Sequence, residues 1–492
     1  MSTSETLTRN TVSSNNLLLK NAPKTTGIVH IGLGNFHRAH LAVYTAIAME
    51  KTGGDWGICA YSMRNSKLVA DMKAQDNLYS VLEIGPDTES AVIPGVHTRC
   101  LVGIEDLEEL LTLIAEPATK IVSLTITEAG YYISQLSNGL NFSHPDIQND
   151  LAGKSPRTIY GIVCTALAKR VRNGASPITI MSCDNISENG TKCRQLFMDF
   201  LSQQEGKNEL LEFFSESVSF PNSMVDRIVP GTESIHIDLA LSRLHLTDSI
   251  PVPAEKFSMW AIEDNFAAGR PTWEEAGAIF TSEIEKFEVM KLRLLNGAHS
   301  LLAYLGALSS CETIPSSRFT PLIERALRKA LYEEYLPSLE MPSGISADSY
   351  IDQLFARWSN TKLGDKTSRV GSDGSTKLPQ RISVPALRAL ALGKDPKMMA
   401  LTVAAWLQCI SPMKGFEPGE YAREMKDPAR EKIALLASNS SDVGSFVDKF
   451  FKESEIFSAE LANSAHFVNL TARYAQAIFE QGISAAIQEA LG

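Results

Sequence analysis

Long hydrophobic runs are missing from this sequence. No stretch of about 18 consecutive apolar residues occurs, which is the length that a membrane-spanning helix requires. Residues 1–21 are rich in Ser, Thr and Asn and contain no apolar segment of the kind that a secretory signal has. We therefore expect a cytoplasmic protein that has no membrane partner.

The sequence also contains few cysteines, and fewer basic than acidic residues. The seven cysteines are scattered over 492 residues without a Cys-x-x-Cys pair, which argues against both a disulfide framework and a thiolate zinc site. Lys and Arg number 46 against 57 Asp and Glu, which gives a formal net charge of −11. Nucleic acids and anionic membranes bind proteins with surplus basic side chains, so we expect neither as a partner. We also expect no bound metal.

The length predicts more than one domain, because a usual domain has about 100–200 residues. Apolar, β-branched runs alternate with helical patterns in the first half, which is typical of a parallel sheet covered by helices; the runs are 27–31, 56–63, 120–127 and 177–181. From about residue 285 helical periodicity dominates, with a polar loop predicted at 364–379. We predict a polar N-terminal tail (1–26), an α/β domain (27–284) and a mainly α-helical C-terminal domain (285–492).

A glycine-rich turn follows the first predicted strand. The segment Gly32-Leu33-Gly34-Asn35-Phe36-His37-Arg38 has the first two glycines of the dinucleotide-binding pattern, and His37 stands where the third is usual. Gly32 permits the tight turn, and Gly34 lets backbone N–H groups approach a pyrophosphate. Arg38 is either a cation for the phosphates or a surface arginine. Strand, glycine turn and helix together predict a Rossmann-type, dinucleotide-binding domain over 27–284.

Two histidines in this turn have a spacing that also occurs in metal sites. His37 and His40 lie three residues apart, but no Asp, Glu or Cys within the turn completes a ligand set. We therefore predict no metal there.

A second group of polar residues lies on a predicted helix at 289–305. At about 100° per residue, Lys291, Asn296 and His299 share with Glu288 an arc of about 140° on an otherwise apolar helix. Such an arc is either a solvated face or the wall of a pocket, and a single Lys, Asn and His are few for a solvated face. A lysine of lowered pKa is a general base, and an asparagine donates to an oxygen that gains negative charge. The set suits removal of a proton from a secondary alcohol while a hydride leaves its carbon.

Several ordered blocks of sequence carry a resemblance to a known family. They are 28–40, 123–128, 181–185, 224–230, 263–266, the pattern Lys291-x5-Asn296-x2-His299, and 373–379. Together they resemble the mannitol dehydrogenase family, the polyol-specific long-chain dehydrogenases and reductases. The resemblance implies a metal-independent enzyme that uses a nicotinamide cofactor.

The resemblance also implies roles for individual residues. Lys291 is implied as the general acid/base, Asn185 and Asn296 as the oxyanion-stabilising pair, and His299 as a residue that orients the substrate. The implied substrate-binding residues are Asp226, Arg369 and Lys377, and the implied proton relay is Glu128 and Glu288. Within their blocks, Asn189 is an alternative to Asn185, and Arg381 is an alternative to Arg369.

The expected cofactor is NAD, with NADP possible. The residues implied in binding it are Gly32, Gly34, Phe36, Arg38, Arg64, Thr125 and Val225. The acidic residue that usually marks NAD at the end of the second strand is missing, since the strand ends Met63-Arg64-Asn65-Ser66 and the next acid is Asp71. Arg64 either meets a 2′-phosphate or points to solvent.

The first hypothesis for the function is a secondary-alcohol dehydrogenase that interconverts an open-chain polyol and its 2-ketose, of the mannitol/fructose type. The alternative is fructuronate reduction to mannonate, because Lys377-Leu378-Pro379-Gln380-Arg381 looks more like the fructuronate reductases. An extra arginine pairs well with a carboxylate, unless Arg381 faces solvent or caps a helix. A remote alternative is a non-catalytic nucleotide-sensing protein. The expected partner is a small polyol, ketose or sugar acid, and the expected state is a monomer or weak homo-oligomer.

Overall fold

The structure, a computed structural model, describes residues 4–134, 137–204, 206 and 208–492. The chain divides into two compact units, Met1–Ile284 and Glu285–Gly492.

A parallel sheet forms the centre of the first unit. The strands of this unit are β1 (Thr26–Ile31), β2 (Gly57–Ser62), β3 (Val81–Ile84), β4 (Glu89–Val92), β5 (His97–Val102), β6 (Ile121–Leu124), β7 (Ile178–Ser182), β8 (Val218–Ser219), β9 (Ser223–Asp226), β10 (Val252–Glu255), β11 (Met259–Ile262) and β12 (Ile279–Phe280). Six of them lie in the order β5-β2-β1-β6-β7-β8, and each neighbouring pair is parallel. The strand order reverses between β1 and β6, which is where open α/β sheets bind ligands. The predicted Rossmann-type sheet is confirmed.

Helices cover both faces of this sheet. They are α1 (Asn35–Ala39), α2 (Leu41–Thr52), α3 (Ser66–Ala74), α4 (Leu107–Ala115), α5 (Pro145–Leu151), α6 (Ile159–Arg172), α7 (Asn189–Ser202), α8 (Asn208–Glu216) and α9 (Ser234–Leu244). Successive residues of β1 belong to opposite cores, because side chains alternate along a strand. Val29 and Ile31 pack in a cluster with α4 and α6, whereas Ile28 packs in a cluster with α2. A strand buried on both faces needs the continuous apolar run that the sequence has here.

The polar segment before β1 belongs to the first unit and is not a separate tail. Leu7 and Leu19 are buried, and Leu7 packs with Leu78 and Ile93. Isolated bridges join Thr6 to Thr247 and Leu17 to Ile93. The expectation of a polar tail over 1–26 is therefore wrong for the described residues of that segment, since a few leucines anchor it against the domain.

Two smaller sheets complete the first unit. One has the order β10-β3-β4 and the other the order β12-β11-β9. The second of these places Val225 and Asp226 at the end of β9, where they pair with Trp260 and Met259 of β11.

The second unit is helical, and its residues, all of which the structure describes, form no strand. Its helices are α10 (Ile284–Met290), which begins at the boundary, α11 (Ala298–Leu308), α12 (Ile314–Arg318), α13 (Pro321–Lys329), α14 (Ala347–Trp358), α15 (Thr367–Gly371), α16 (Gly374–Ala391), α17 (Lys397–Ile410), α18 (Glu420–Arg423), α19 (Arg430–Ser438), α20 (Val443–Glu453), α21 (Ala459–Ala462), α22 (Ala465–Gln481) and α23 (Ile483–Leu491). The mainly α-helical second domain is confirmed.

Two predicted elements of the second unit, the helix at 289–305 and the loop at 364–379, differ from the structure. The predicted helix at 289–305 contains a π-helical turn, Lys291–Gly297, and a second π-turn, Ala330–Tyr335, follows α13. At the C-terminal end, the helical segment is divided into α22 and α23 at Gly482, whose φ of +85° breaks the helix.

The predicted loop at 364–379 is wrong, because α15 and α16 occupy most of it. Leu378, Ile382 and Ala386 recur every four residues and are buried, which gives α16 an apolar face despite its polar start and two internal prolines.

No helix among the described residues combines the length and the apolar content that a membrane span needs.

Candidate active site

The glycine turn at the end of β1 has a conformation that other residues rarely adopt. Gly32 has a φ of +112°, and a Cβ at this position would lie 1.9 Å from the Thr125 carbonyl oxygen. The Thr125 hydroxyl donates to the Gly32 carbonyl over 2.8 Å, and Nε2 of the buried His30 lies 2.9 Å from the same hydroxyl. Thr125 thus supports the turn, in addition to the cofactor contact that the resemblance implies.

The space around Gly34 indicates whether a dinucleotide fits at this turn. A Cβ built on Gly34 would meet only the Gly32 carbonyl oxygen, at 3.8 Å. Protein packing therefore does not require a glycine here, whereas close approach of a phosphate to the N–H groups at the start of α1 does. Phe36, two residues further along the chain, is half-buried and stacks on His40 with ring centroids 4.9 Å apart. The residues present fit a dinucleotide cofactor.

His37 takes the place of the third glycine by filling the space between α1 and the sheet. Its ring stacks on His30 at 3.5 Å, and its Nε2 lies 3.0 Å from Nε2 of His97. Burial lowers the pKa of His30 and of His97 to about 3, and burial also holds the pKa of His37 well below its usual range. The three rings are therefore neutral near pH 7. In the part of the chain that the structure describes, no three possible ligands group into a metal site.

Arg38 lies in the interior of the first unit. Its Nη1 donates to the Ile250 carbonyl over 2.7 Å, its Nη2 donates to Asn35 Oδ1 over 2.6 Å, and its guanidinium lies over the Tyr79 ring. The side chain is 3% exposed. Both predictions for Arg38, a phosphate-binding cation and a surface arginine, are therefore wrong, because the contacts that the structure gives it are made inside the domain.

The end of β2 carries the residues that face a cofactor's ribose in this fold class. Arg64 is exposed there, and Asn65 caps α3 by accepting the Leu68 N–H over 3.0 Å. The first acid beyond them, Asp71, pairs with Lys67 on α3 at 2.6 Å. No carboxylate of this segment, which is described throughout, takes the usual ribose-binding position. Arg64 remains the candidate for a 2′-phosphate.

A carboxylate that the sequence analysis did not single out joins the loops after β6 and β7. Asp184 accepts the N–H groups of Ile126 and Thr127 over 3.0 and 3.1 Å, and the Tyr131 hydroxyl over 2.8 Å. Thr127 has φ +65° and ψ 161°, a backbone region that glycine almost alone adopts. Glu128, the implied proton relay, follows directly and is exposed. Asp184 therefore holds a strained segment in place beside Thr125 and Glu128.

The two asparagines of the β7 loop have different surroundings. Asn189 is buried, where its Nδ2 donates to the Ser223 carbonyl over 2.8 Å and its Oδ1 accepts the Ser223 N–H over 2.8 Å. Its amide is therefore committed to joining β7 and β9. Asn185 lies on the exposed part of the loop. This contrast favours Asn185 over Asn189 for a ligand contact.

Asp226 and Val225 end β9 in the interior of the first unit, with exposures of 4% and 2%. The neighbouring Arg227 pairs with Glu83 at 3.0 Å and donates through Nε to the Glu255 carbonyl. These contacts fix the end of the strand that carries the implied substrate and cofactor contacts.

The candidate base of the second unit lies on an interrupted helix. α10 leads into the π-turn Lys291–Gly297, and α11 follows without a break. In an α-helix residues five apart point about 140° from each other. In a π-turn the hydrogen bonds join residues i and i+5, so residues five apart are separated by close to one full turn and point in similar directions. The π-turn therefore brings Lys291 and Asn296 toward the same side, and π-turns of this kind are frequent at functional sites. Glu288 is half-buried on α10, three residues before Lys291.

His299 has cationic neighbours within the second unit. Burial, and after it the charges of Arg381 and Arg369, lower the pKa of His299 to about 3. His299 is therefore neutral near pH 7 and can exchange hydrogen bonds with a hydroxyl. Lys377 donates to the Ser372 carbonyl over 2.7 Å, and burial lowers its pKa as well. Arg369 is exposed and pairs with Asp365 through Nε at 2.7 Å.

Arg381 contacts the helix of the candidate base directly. Its Nη1 donates to the Asn296 carbonyl over 3.1 Å and to the Ser300 hydroxyl over 2.7 Å. The prediction that Arg381 faces solvent or caps a helix is therefore wrong. The sequence offered no signal for Ser300, since a serine in an apolar helix carries no motif.

Comparison with known proteins covers both units. The Mannitol dehydrogenase Rossmann domain matches residues 26–275, and the Mannitol dehydrogenase C-terminal domain matches residues 283–479. Mannitol 2-dehydrogenase of Phaeosphaeria nodorum is 36% identical over 451 residues, which cover 89% of this chain and 78% of the relative. D-mannonate oxidoreductase of Escherichia coli is 35% identical over 460 residues, which cover 92% of this chain and 93% of the relative.

A solved structure gives the same result. The ternary complex of Pseudomonas fluorescens mannitol 2-dehydrogenase with NAD and D-mannitol is 33% identical, with a TM-score of 0.85 over 99% of each chain. The predicted resemblance is confirmed over nearly the whole length. From its two matched domains and these relatives, the chain is an oxidoreductase that belongs to the mannitol dehydrogenase family.

Proposed function

We propose that this chain is a metal-independent, NAD-dependent secondary-alcohol dehydrogenase that interconverts a linear polyol and its 2-ketose, of the mannitol/fructose type. The observation that carries the proposal is the π-turn, which brings Lys291 and Asn296 toward one side of a helix that also carries the neutral His299. The relative solved with NAD and D-mannitol supports the choice of cofactor and substrate class.

The first unit holds the cofactor in this proposal. Gly32 and Gly34 let the backbone approach the pyrophosphate, and the segment with Thr125 supports that turn. Phe36, Arg64 and Val225 remain the further contacts that we propose. When bound, NAD supplies the acceptor for the hydride of the alcohol carbon.

The second unit supplies the proton acceptor. Lys291 takes the hydroxyl proton of the alcohol through Nζ, and in the reverse direction returns it to the carbonyl oxygen. Asn296 donates an amide N–H to that oxygen as it gains negative charge. Asn185, on the exposed loop of the first unit, has the same proposed role, and Glu128 and Glu288 pass the proton on to solvent. These side chains supply the proton transfer and the charge stabilisation that a catalytic zinc ion supplies in other alcohol dehydrogenases.

The remaining part of the proposal concerns the substrate. The neutral His299 binds a hydroxyl beside the reacting carbon, and Asp226, Arg369 and Lys377 bind the other hydroxyls. All three catalytic residue types are present on the interrupted helix, which disfavours a non-catalytic nucleotide-sensing protein.

Fructuronate reduction is a second candidate function, for two reasons. Lys377, Arg369 and Arg381 all contribute positive charge at His299, and a D-mannonate oxidoreductase is among the relatives. A charge-assisted pair with a carboxylate is worth about 1.5–3 kcal/mol, or roughly 10–150-fold in specificity.

An activity panel tests the proposal. Mannitol, arabinitol and sorbitol are assayed for oxidation, and fructose and fructuronate for reduction, each with both cofactors. We expect fructose or a similar ketose to have a kcat/KM at least as high as that of fructuronate. Turnover of fructuronate alone replaces the first candidate by the second. A protein that binds NADH but turns over none of these compounds contradicts both.

Two further expectations stay proposals. We propose a cytoplasmic location, which cell fractionation tests, and a monomer or weak homo-oligomer, which light scattering over a range of protein concentrations tests. Recovery in a membrane or secreted fraction contradicts the first, and a tight higher oligomer contradicts the second.

A further inference from the structure

The main-chain carbonyl of Asn296 has an unusual set of side-chain donors. It accepts Nη1 of Arg381 over 3.1 Å and the Ser300 hydroxyl over 3.3 Å. Asn296 lies in the π-turn, one residue before its end at Gly297. Serine hydroxyls in helices often donate to the carbonyl four residues earlier, whereas the second donor, Arg381, reaches this carbonyl from another helix.

The two donors also bind each other. Nη1 of Arg381 lies 2.7 Å from the Ser300 hydroxyl, which in turn reaches the Asn296 carbonyl. We call Arg381 and Ser300 the Asn296 clasp. Arg381 comes from α16, which packs against the π-turn, and Ser300 is 1% exposed on α11. The clasp is thus fixed from two separate helices.

We propose that Arg381 is a positioning residue, which fixes the π-turn and through it the direction of the Asn296 amide, for every substrate of the enzyme. This inference rests on the proposed function, because it needs Asn296 to contact the reacting oxygen. It differs from the expectation that Arg381 recognises a sugar-acid carboxylate. A carboxylate-binding arginine acts on one substrate class through KM, whereas a positioning arginine acts on all classes through kcat.

The size of the effect follows from the precision that catalysis needs. A displacement of about 1 Å in a positioned group costs about 100-fold in rate. Arg381→Ala removes the main donor of the clasp, so we expect kcat to fall by about 10–100-fold. Ser300→Ala leaves the 3.1 Å contact of Arg381 with the carbonyl, so we expect a smaller loss of about 3–10-fold. Arg381→Lys keeps one charged donor and recovers part of the activity.

A matched control lies on the same helix. Arg388 also donates through Nη1 to a main-chain carbonyl, that of Ser338, over 3.0 Å. It contacts none of the proposed catalytic residues in the contacts described for it, and the Ser338 carbonyl keeps Nη1 of Arg293, in the π-turn, as a donor when Arg388 is removed. We therefore expect Arg388→Ala to keep kcat within about twofold. The comparison of the two variants distinguishes the loss of the clasp from a general loss of packing by α16.

The test measures kcat and KM for fructose and for fructuronate, together with NADH affinity, in these variants. We expect Arg381→Ala to lower kcat by the same factor for each compound that the unmodified enzyme turns over. KM and the NADH dissociation constant stay within about twofold. A rise in KM confined to fructuronate identifies Arg381 as a carboxylate-binding residue and overturns the inference. An unchanged kcat overturns it as well.

A second measurement does not depend on turnover. Hydrogen–deuterium exchange should be faster at the amides of 296–301 in Arg381→Ala and unchanged there in Arg388→Ala. If the unmodified protein turns over none of the substrates, the proposed function fails, and the exchange experiment still decides whether the clasp holds the π-turn. Equal exchange in both variants shows that it does not.

Discussion

The backbone at Thr127 stores strain that a single substitution can release. Thr127 has φ +65° and ψ 161°, and this region costs a residue with a side chain about 1–3 kcal/mol. Glycine adopts the region without that penalty but loses about 0.5–1 kcal/mol more conformational entropy on folding. The difference predicts that Thr127→Gly stabilises the first unit by about 1 kcal/mol, the central value of these ranges.

Thermal unfolding, followed through tryptophan fluorescence, measures this gain. For a unit of this size about 1 kcal/mol corresponds to a rise in Tm of roughly 2–4 °C. Thr127→Ala is the matched control, because it removes the hydroxyl and keeps a Cβ in the strained region, so it gives no such rise. A decrease in Tm for Thr127→Gly would refute the argument that this backbone is strained.

We also expect Thr127→Gly to lower the activity. The strain persists because Asp184 accepts the N–H groups of Ile126 and Thr127. A glycine widens the range of positions open to the segment that carries Glu128, so we expect kcat to fall while stability rises, a common exchange at functional segments. A variant that is more stable and equally active removes this segment from the mechanism.

Three further predictions concern acidity, cofactor and metal. The pKa values of His30 and His97 are depressed to about 3 in the folded protein, so only the unfolded state binds protons at these histidines as the pH falls from 6.5 toward 3. The free energy of unfolding, measured with urea, should therefore decrease below pH 6.5 by about 1.4 kcal/mol per pH unit for each histidine. A free energy of unfolding that stays constant down to pH 5 contradicts this prediction. In steady-state kinetics, kcat/KM with NAD should exceed kcat/KM with NADP by less than about a thousandfold, which is equivalent to about 4 kcal/mol. Arg64→Asp should raise this preference for NAD. A larger preference in the unmodified enzyme means that another acidic residue discriminates between the two cofactors. Dialysis against a strong chelator should leave kcat unchanged, whereas inactivation reversed by zinc opposes the proposed proton transfer by Lys291.

The elements that were predicted correctly are those with a local signal. The strands β1, β2, β6 and β7 are continuous apolar runs, and the glycine turn follows β1 at the expected place. The lysine helix was found from its polar arc. A period of 3.6 residues, however, cannot indicate a π-turn. The Arg381 contact with the Asn296 carbonyl in that turn comes from α16, more than 80 residues along the chain.

The features that were missed depend on contacts distant in sequence. Arg38 was expected at the surface or on phosphate, but the Ile250 carbonyl and the Tyr79 ring draw it inside. Asp184 has no motif of its own, and its role emerges only when the loops after β6 and β7 lie side by side. The helix α16 was hidden by Gly, Ser and Pro at its start, since its apolar face repeats only from Leu378 onward.

The most direct test of the proposed function is the kcat of Lys291→Ala. Loss of a general acid/base costs about 10²–10⁴-fold in rate, so we expect kcat for polyol oxidation and for ketose reduction to fall by at least that factor. NADH affinity, measured by fluorescence titration, should be nearly unchanged. Lys286→Ala is the matched control, because Lys286 lies on the same helix and pairs with Glu340 at 3.5 Å. A Lys291→Ala enzyme that keeps half of the original kcat would contradict the account.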